Sequence, residues 1–125
     1  MSIQLNHTIV GCRDKHRSAA FLAETLGLTA PTPFGPFLVI KVANGVSLDF
    51  HDSDEPIAPQ HYAFLVDEAE FDRVFGRIEA SGTKYWADPG RRHPGRINRH
   101  DGGRGVYFAD PDGHLLEAIT RPYGG

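Results

Sequence analysis

The chain states one pattern twice, and that repeat limits what it can fold into more than any other feature. IQLNHTIV (residues 3–10) alternates apolar and polar positions, with Leu5, His7 and Ile9 on one face, as a strand does. A helix follows: Asp14 stands at a capping position, Ala19, Leu22, Ala23 and Leu26 recur at helical spacing, and Gly27 ends the run. From residue 61 the order returns. HYAFLV reads as a strand, Asp67 with Glu70 as a capping-box-like start, Phe71, Val74, Phe75 and Ile78 as the apolar stripe, and Gly82 as the stop. His61, Asp67 and Gly82 follow His7, Asp14 and Gly27 by 54, 53 and 55 residues.

The second part of each repeat matches as well. FLVIKVANGVSLDF holds two strand-like runs around Asn-Gly, and GVYFADPDGHLLEAI holds two around Asp-Gly. Asp49 lies four residues after Gly45, and Glu117 four after Gly113. The copies differ by 14 residues, an Arg- and Pro-rich insertion between Trp86 and Gly105. The expectation is an α+β chain of two βαβββ modules, about residues 1–55 and 60–122, joined near DSDEPIAPQ within a single domain spanning 1–125.

Symmetry makes His7 the counterpart of His61, and Asp49 that of Glu117. Both faces of HYAFLV read as apolar, so the plain reading of His61 is a satisfied core histidine. Glu117 shifts that reading, because it shares a strand face with Leu115 and Ile119, where a carboxylate is costly unless a cation or donor satisfies it. A metal ion is the simplest partner common to two imidazoles and a carboxylate.

At 125 residues and 40% hydrophobic, the chain suits one compact domain with a real core. A net charge of −3 argues against a general nucleic-acid binder. That charge is uneven: Arg91, Arg92, Arg96, Arg99 and Arg104 face Asp88 and Asp101 in the insertion, locally +3, so the rest of the chain carries −6. The single Cys12 excludes an internal disulfide and reads as a small residue at the core edge rather than a nucleophile. MSIQLNH lacks a signal-like pattern and no apolar run approaches the roughly 18 residues of a membrane span, so a cytoplasmic protein without membrane contact is expected.

LNHTIV, DKHRSAAFLAETLGL and above all DPDGHLLE resemble the vicinal oxygen chelate superfamily, which includes glyoxalase I, bleomycin-resistance proteins, fosfomycin-resistance thiol transferases and extradiol dioxygenases. The resemblance runs along essentially the whole chain. It implies a cup-like mixed sheet around a divalent metal, with His7, His61 and Glu117 as ligands. Two neutral imidazoles and a carboxylate suit Fe, Mn, Zn, Ni or Co and leave positions open for substrate. Asp49 stands where glyoxalase I has a glutamate, one methylene shorter, so it is a candidate ligand or proton-moving carboxylate; His51 on the same face is the alternative, read as a strand-end residue.

The resemblance places Glu117, Asp49 and Tyr107 in catalysis and Arg104 beside a small, anionic substrate, and Trp86 reads as an aromatic lining the substrate pocket. Arg104 has a surface or structural salt bridge as its alternative. The loop at 88–104, with His93 and His100, reads as a solvated segment or, folded over the site, as a cationic lid. His114 points away from Glu117 by parity, His16 lies on a helix surface, and the aromatics Phe37, Tyr62, Phe64 and Phe108 read as core. The implied activity is Lewis-acid chemistry on adjacent substrate oxygens, of glyoxalase or dioxygenase type. A thiol transferase and a metal-free, bleomycin-resistance-like binding protein are the alternatives, with a metal-binding regulatory protein behind them. A homodimer is expected.

Overall fold

The computed structural model describes residues 2–123 and divides at Ala58–Pro59 into two compact units. In the first, strand β1 (His7–Cys12) leads to helix α1 (Lys15–Leu26), then β2 (Thr32–Phe34), β3 (Phe37–Lys41) and β4 (Ser47–Asp52). The second repeats the order with β5 (His61–Leu65), α2 (Glu68–Ser81), β6 (Tyr85–Trp86), β7 (Gly105–Ala109) and β8 (Leu115–Ile119). Each unit is the βαβββ module that the repeat demands.

Local chemistry sets the helix ends. The Asp14 carboxylate accepts from the backbone N–H groups of His16 and Arg17, satisfying donors that the first turn leaves free, and Gly27 closes α1 at φ 69°. Asp67 accepts from the Glu70 N–H at 2.7 Å, while the Glu70 side chain turns to Arg73 at 3.0 Å, so only one half of a capping box forms. Buried Ala19, Leu22, Ala23 and Leu26 place α1 against β3 and β4; Phe71, Val74 and Ile78 place α2 against β8.

The sheets run β1-β4-β3-β2 and β5-β8-β7-β6, with the first pair of each parallel and the others antiparallel. β1 and β5 are therefore edge strands. Registers repeat too: His7 pairs with Ser47 and Ile9 with Asp49, as His61 pairs with Leu115 and Ala63 with Glu117. Each module thus sets its histidine two residue pairs from its acidic residue, on the same face of a parallel ladder.

Two sequence expectations change. The first strand begins at His7 and extends to Cys12, rather than covering 3–10. β5 is not apolar-covered on both faces: His61, Ala63 and Leu65 are exposed, Leu65 at 61%, because the helix α2 covers the opposite side of the sheet through Phe71, Val74 and Ile78. His114 is fully buried, its Nδ1 accepting from the Gln60 N–H at 2.9 Å. Cys12 is a buried core thiol that reaches the His51 carbonyl. No helix among the described residues is long and apolar enough to cross a membrane.

Phe71 and Asp67 give contrasting tests of the second unit. Urea unfolding of Phe71→Ala should show a loss of about 3–5 kcal/mol, from the cavity left where a fully buried ring stood. Asp67→Ala should cost about 1 kcal/mol, the worth of one N-cap.

Candidate functional site

The second module builds a polar cluster on one face of its sheet. Glu117 is central on β8, with only 1% of its side chain exposed, held on one side by Ala63 of β5 and on the other by Tyr107 of β7, with Trp86 of β6 next in the same row. His61, two residues along β5 from Ala63, turns its ring to Glu117: Nε2 lies 3.1 Å from Oε1. Its Nδ1 lies 2.9 Å from the Leu115 carbonyl oxygen. A carbonyl only accepts, so Nδ1 carries the proton, and Nε2 of the neutral ring presents a lone pair to the carboxylate. Two acceptors facing each other need a cation or an added proton between them.

That arrangement fits a divalent metal. Bonds of about 2.0–2.2 Å to neighbouring sites on one ion put their donor atoms about 3 Å apart, and the backbone carbonyl behind Nδ1 is the outer partner that orients a ligating imidazole. His7 in the first module holds the same tautomer, its Nδ1 2.7 Å from the Asn6 side-chain oxygen, with Nε2 left as the acceptor. Among the described residues, no group of three or more His, Cys, Asp or Glu side chains is gathered. The structure therefore brings together His61 and Glu117 of the expected triad.

Two tyrosines complete the cluster. The Tyr123 hydroxyl lies 2.7 Å from Oε1 and 2.8 Å from Oε2 of Glu117, donating its proton into the carboxylate fork. Tyr107, whose ring is 6.0 Å from that of His61, sits 3.1 Å from the Tyr123 oxygen and so donates to it. Burial, then the contacts with Tyr123 and Glu117, drive the Tyr107 hydroxyl far above the ordinary phenol range. Tyr107 therefore acts as a fixed donor, never as a phenolate at physiological pH. Tyr123 escaped the sequence reading; its only signal was an aromatic residue in an otherwise small, polar tail six residues beyond Glu117.

The other candidates are placed as follows. Asp49 is buried at the register of the first sheet that matches Glu117, with its Oδ1 lacking any hydrogen-bond partner. Arg104 is taken by α2: Nε and Nη1 pair with Glu68 at 2.7 Å and Asp72 at 2.8 Å, and the guanidinium lies 4.4 Å over the Phe71 ring. This is the structural salt bridge weighed as the alternative for it. Thr120 first, then Arg104, hold the Glu68 carboxyl below its usual range. In the insertion, Asp88 accepts from the Arg92 and His93 N–H groups, and Arg91 stacks 4.8 Å over Trp86. Bridges from Trp86 to Pro94 and from Asn98 to Gly105 pin that loop to the sheet.

Residues 4–118 match the profile of the Glyoxalase/Bleomycin resistance protein/Dioxygenase superfamily, and the chain belongs to this family. It is similar to the oxidase ChaP-H1, with 62% identity and a TM-score of 0.97 over 99% of this chain and 100% of that one. It is 31% identical to the glutathione transferase FosA of Serratia marcescens over 90% of this chain and 77% of that protein. With the metallothiol transferase FosB of Lysinibacillus sphaericus it shares 27% identity over 96% of its length and 84% of the relative's.

The raised Tyr107 hydroxyl has a measurable sign. Below the ordinary tyrosine value of 10.0 both folded and unfolded chains keep the proton; above it only the unfolded chain readily loses it, so stability falls as pH rises. Urea midpoints should decline above about pH 10 in the wild type and decline less steeply in Tyr107→Phe.

Proposed function

We propose that the chain is a metal-dependent enzyme that oxidises a small substrate bearing two adjacent oxygens. His61 and Glu117 are read as two ligands of a divalent ion, with His7 as the third. The observation that carries this reading is the pair of facing acceptors, Nε2 and Oε1 at 3.1 Å, around a carboxylate that is 1% exposed. A buried carboxylate and a lone pair in such proximity are costly alone and favourable around a cation. The oxidative choice among the chemistries of the family is supported by 62% identity to an oxidase along nearly the whole chain.

A divalent ion bound there would chelate both substrate oxygens and stabilise the negative charge that develops on them. The chain's own groups do the rest. Leu115 keeps His61 in the tautomer that offers Nε2. Tyr107, held protonated on the same row, gives its O–H to the Tyr123 oxygen and so steadies the hydroxyl that faces Glu117. Trp86, with Arg91 stacked on it, offers a flat apolar wall with a cation beside it, suited to a planar, acidic substrate. Asp49, buried in the first module with one oxygen unpartnered, is read as a proton-accepting carboxylate.

A thiol transferase is the second reading, favoured by the likeness to FosA over 90% of the chain. Because Arg104 is tied to α2, an anionic substrate there would rely on Arg91, Arg92, Arg96 or Arg99. The exposed apolar positions on edge strands β1 and β5, Ile9 at 56% and Leu65 at 61%, support a homodimer.

Elemental analysis of protein purified without a metal-affinity tag should find about one divalent metal per chain. His61→Ala and Glu117→Gln should each lose it while keeping a wild-type circular dichroism spectrum; retention of full occupancy would sink the ligand assignment. Oxygen uptake with catechol-type substrates by the iron-loaded protein is the expected activity. Glutathione conjugation by the manganese-loaded protein, without oxygen uptake, would instead establish the transferase.

A further inference from the structure

The C-terminal tail does something that the metal reading does not require. After β8, Thr120 is fastened on both sides: its N–H donates to the Arg104 carbonyl at 2.9 Å, and its Oγ1 accepts from the Arg104 N–H at 2.8 Å. Gly103 makes this approach possible, since a Cβ there would lie 2.5 Å from Thr120 Oγ1 and 2.6 Å from Arg121 Cγ. The anchoring stops there. Arg121, Pro122 and Tyr123 are exposed, Tyr123 at 49%, yet the Tyr123 hydroxyl reaches back to the most buried carboxylate of the module.

Its position there is specific. The hydroxyl oxygen is nearly equidistant from Oε1 and Oε2, at 2.7 and 2.8 Å, so it sits in the fork between them. Oε1 also faces His61 Nε2, and behind the hydroxyl the Tyr107 O–H donates to the Tyr123 oxygen, polarising the proton towards the carboxylate. A phenol proton directed at both oxygens of a buried carboxylate answers part of the charge that a cation would otherwise answer.

We propose that Tyr123 is a positioning residue that clasps Glu117 in place of the metal, so that the tail hydroxyl and the cation compete for one carboxylate. This rests on the reading of Glu117 as a ligand. The clasp keeps the metal-free module stable and Glu117 oriented toward His61, and it is released or drawn to a single oxygen as the ion enters. Tail position and metal occupancy are then coupled through one side chain, and the coupling lowers apparent metal affinity.

The test is Co(II) affinity, by competition with a chromophoric chelator, on full-length wild type, Tyr123→Phe and His61→Ala, with thermal unfolding of each in metal-free form. Tyr123→Phe keeps the ring and removes only the hydroxyl. Loss of one hydrogen bond to a charged group from the metal-free state alone should tighten Co(II) binding by about tenfold. It should also lower the metal-free melting temperature. Opposite changes of these two readouts are the signature, because a residue that only supports the fold would leave affinity unchanged or weaken it. Unchanged or weaker Co(II) binding in Tyr123→Phe, with binding lost in His61→Ala, would overturn the clasp while leaving the metal site standing. Absence of Co(II) binding in the wild type and Tyr123→Phe alike would overturn both.

Discussion

Much of the second module follows from burying one carboxylate. Glu117 sits in a central strand of its sheet, beneath solvent reach, where an unpaired charge would be strongly destabilising. The Tyr123 hydroxyl from the tail answers part of that demand, backed by Tyr107, while His61 from β5 presents a second acceptor and leaves a place for a cation. The Leu115 carbonyl then determines which imidazole nitrogen faces the carboxylate. What is a problem for stability is also what makes the spot suitable for a cation, since electrostatic interactions in a dry site are far stronger than in water.

The parallel ladders explain why ligand types occur where they do. A parallel pair needs a crossover, and in both modules the crossover contains the amphipathic helix that covers one sheet face. That leaves the other face of the edge strand open, with His7 and Ile9 exposed in one module and His61, Ala63 and Leu65 in the other. Histidine on such a face keeps an accessible nitrogen. The acidic residue lies one strand inward and two residues along the ladder, shielded by neighbours, so each module carries a reachable imidazole and a sheltered carboxylate on one face.

The modules diverge in how that carboxylate is answered. Glu117 accepts from the Tyr123 hydroxyl and faces His61 Nε2, whereas Asp49 keeps one oxygen without a hydrogen-bond partner. One methylene decides part of this, because Asp projects less far from its strand than Glu. The insertion of the second module adds a pinned, arginine-rich loop, with Arg91 over Trp86, while Arg104 at its end is spent on fastening β7 to α2. A cationic stretch in sequence has thus become two things: a structural ion-pair network and a charged rim.

The repeat, the helix caps at Asp14 and Asp67, the glycine stops and the alternating strands were legible in the residues themselves, because helix and strand periodicity and capping are local and carry a period that can be counted. The pairing of His61 with Glu117 was legible too, once the second copy of the pattern was aligned with the first. Other features were decided only by tertiary structure. Arg104 had several acidic residues within reach, and the packing of α2 selected Glu68 and Asp72. His61 heads a run that looks apolar on both sides, yet its face is open because α2 can cover only one side of a four-stranded sheet. Tyr123 closes on Glu117 because the tail turns back beside Gly103, a contact between chain segments with no period to betray it. Local pattern specified the elements and their chemistry, while non-local packing chose each charge's partner.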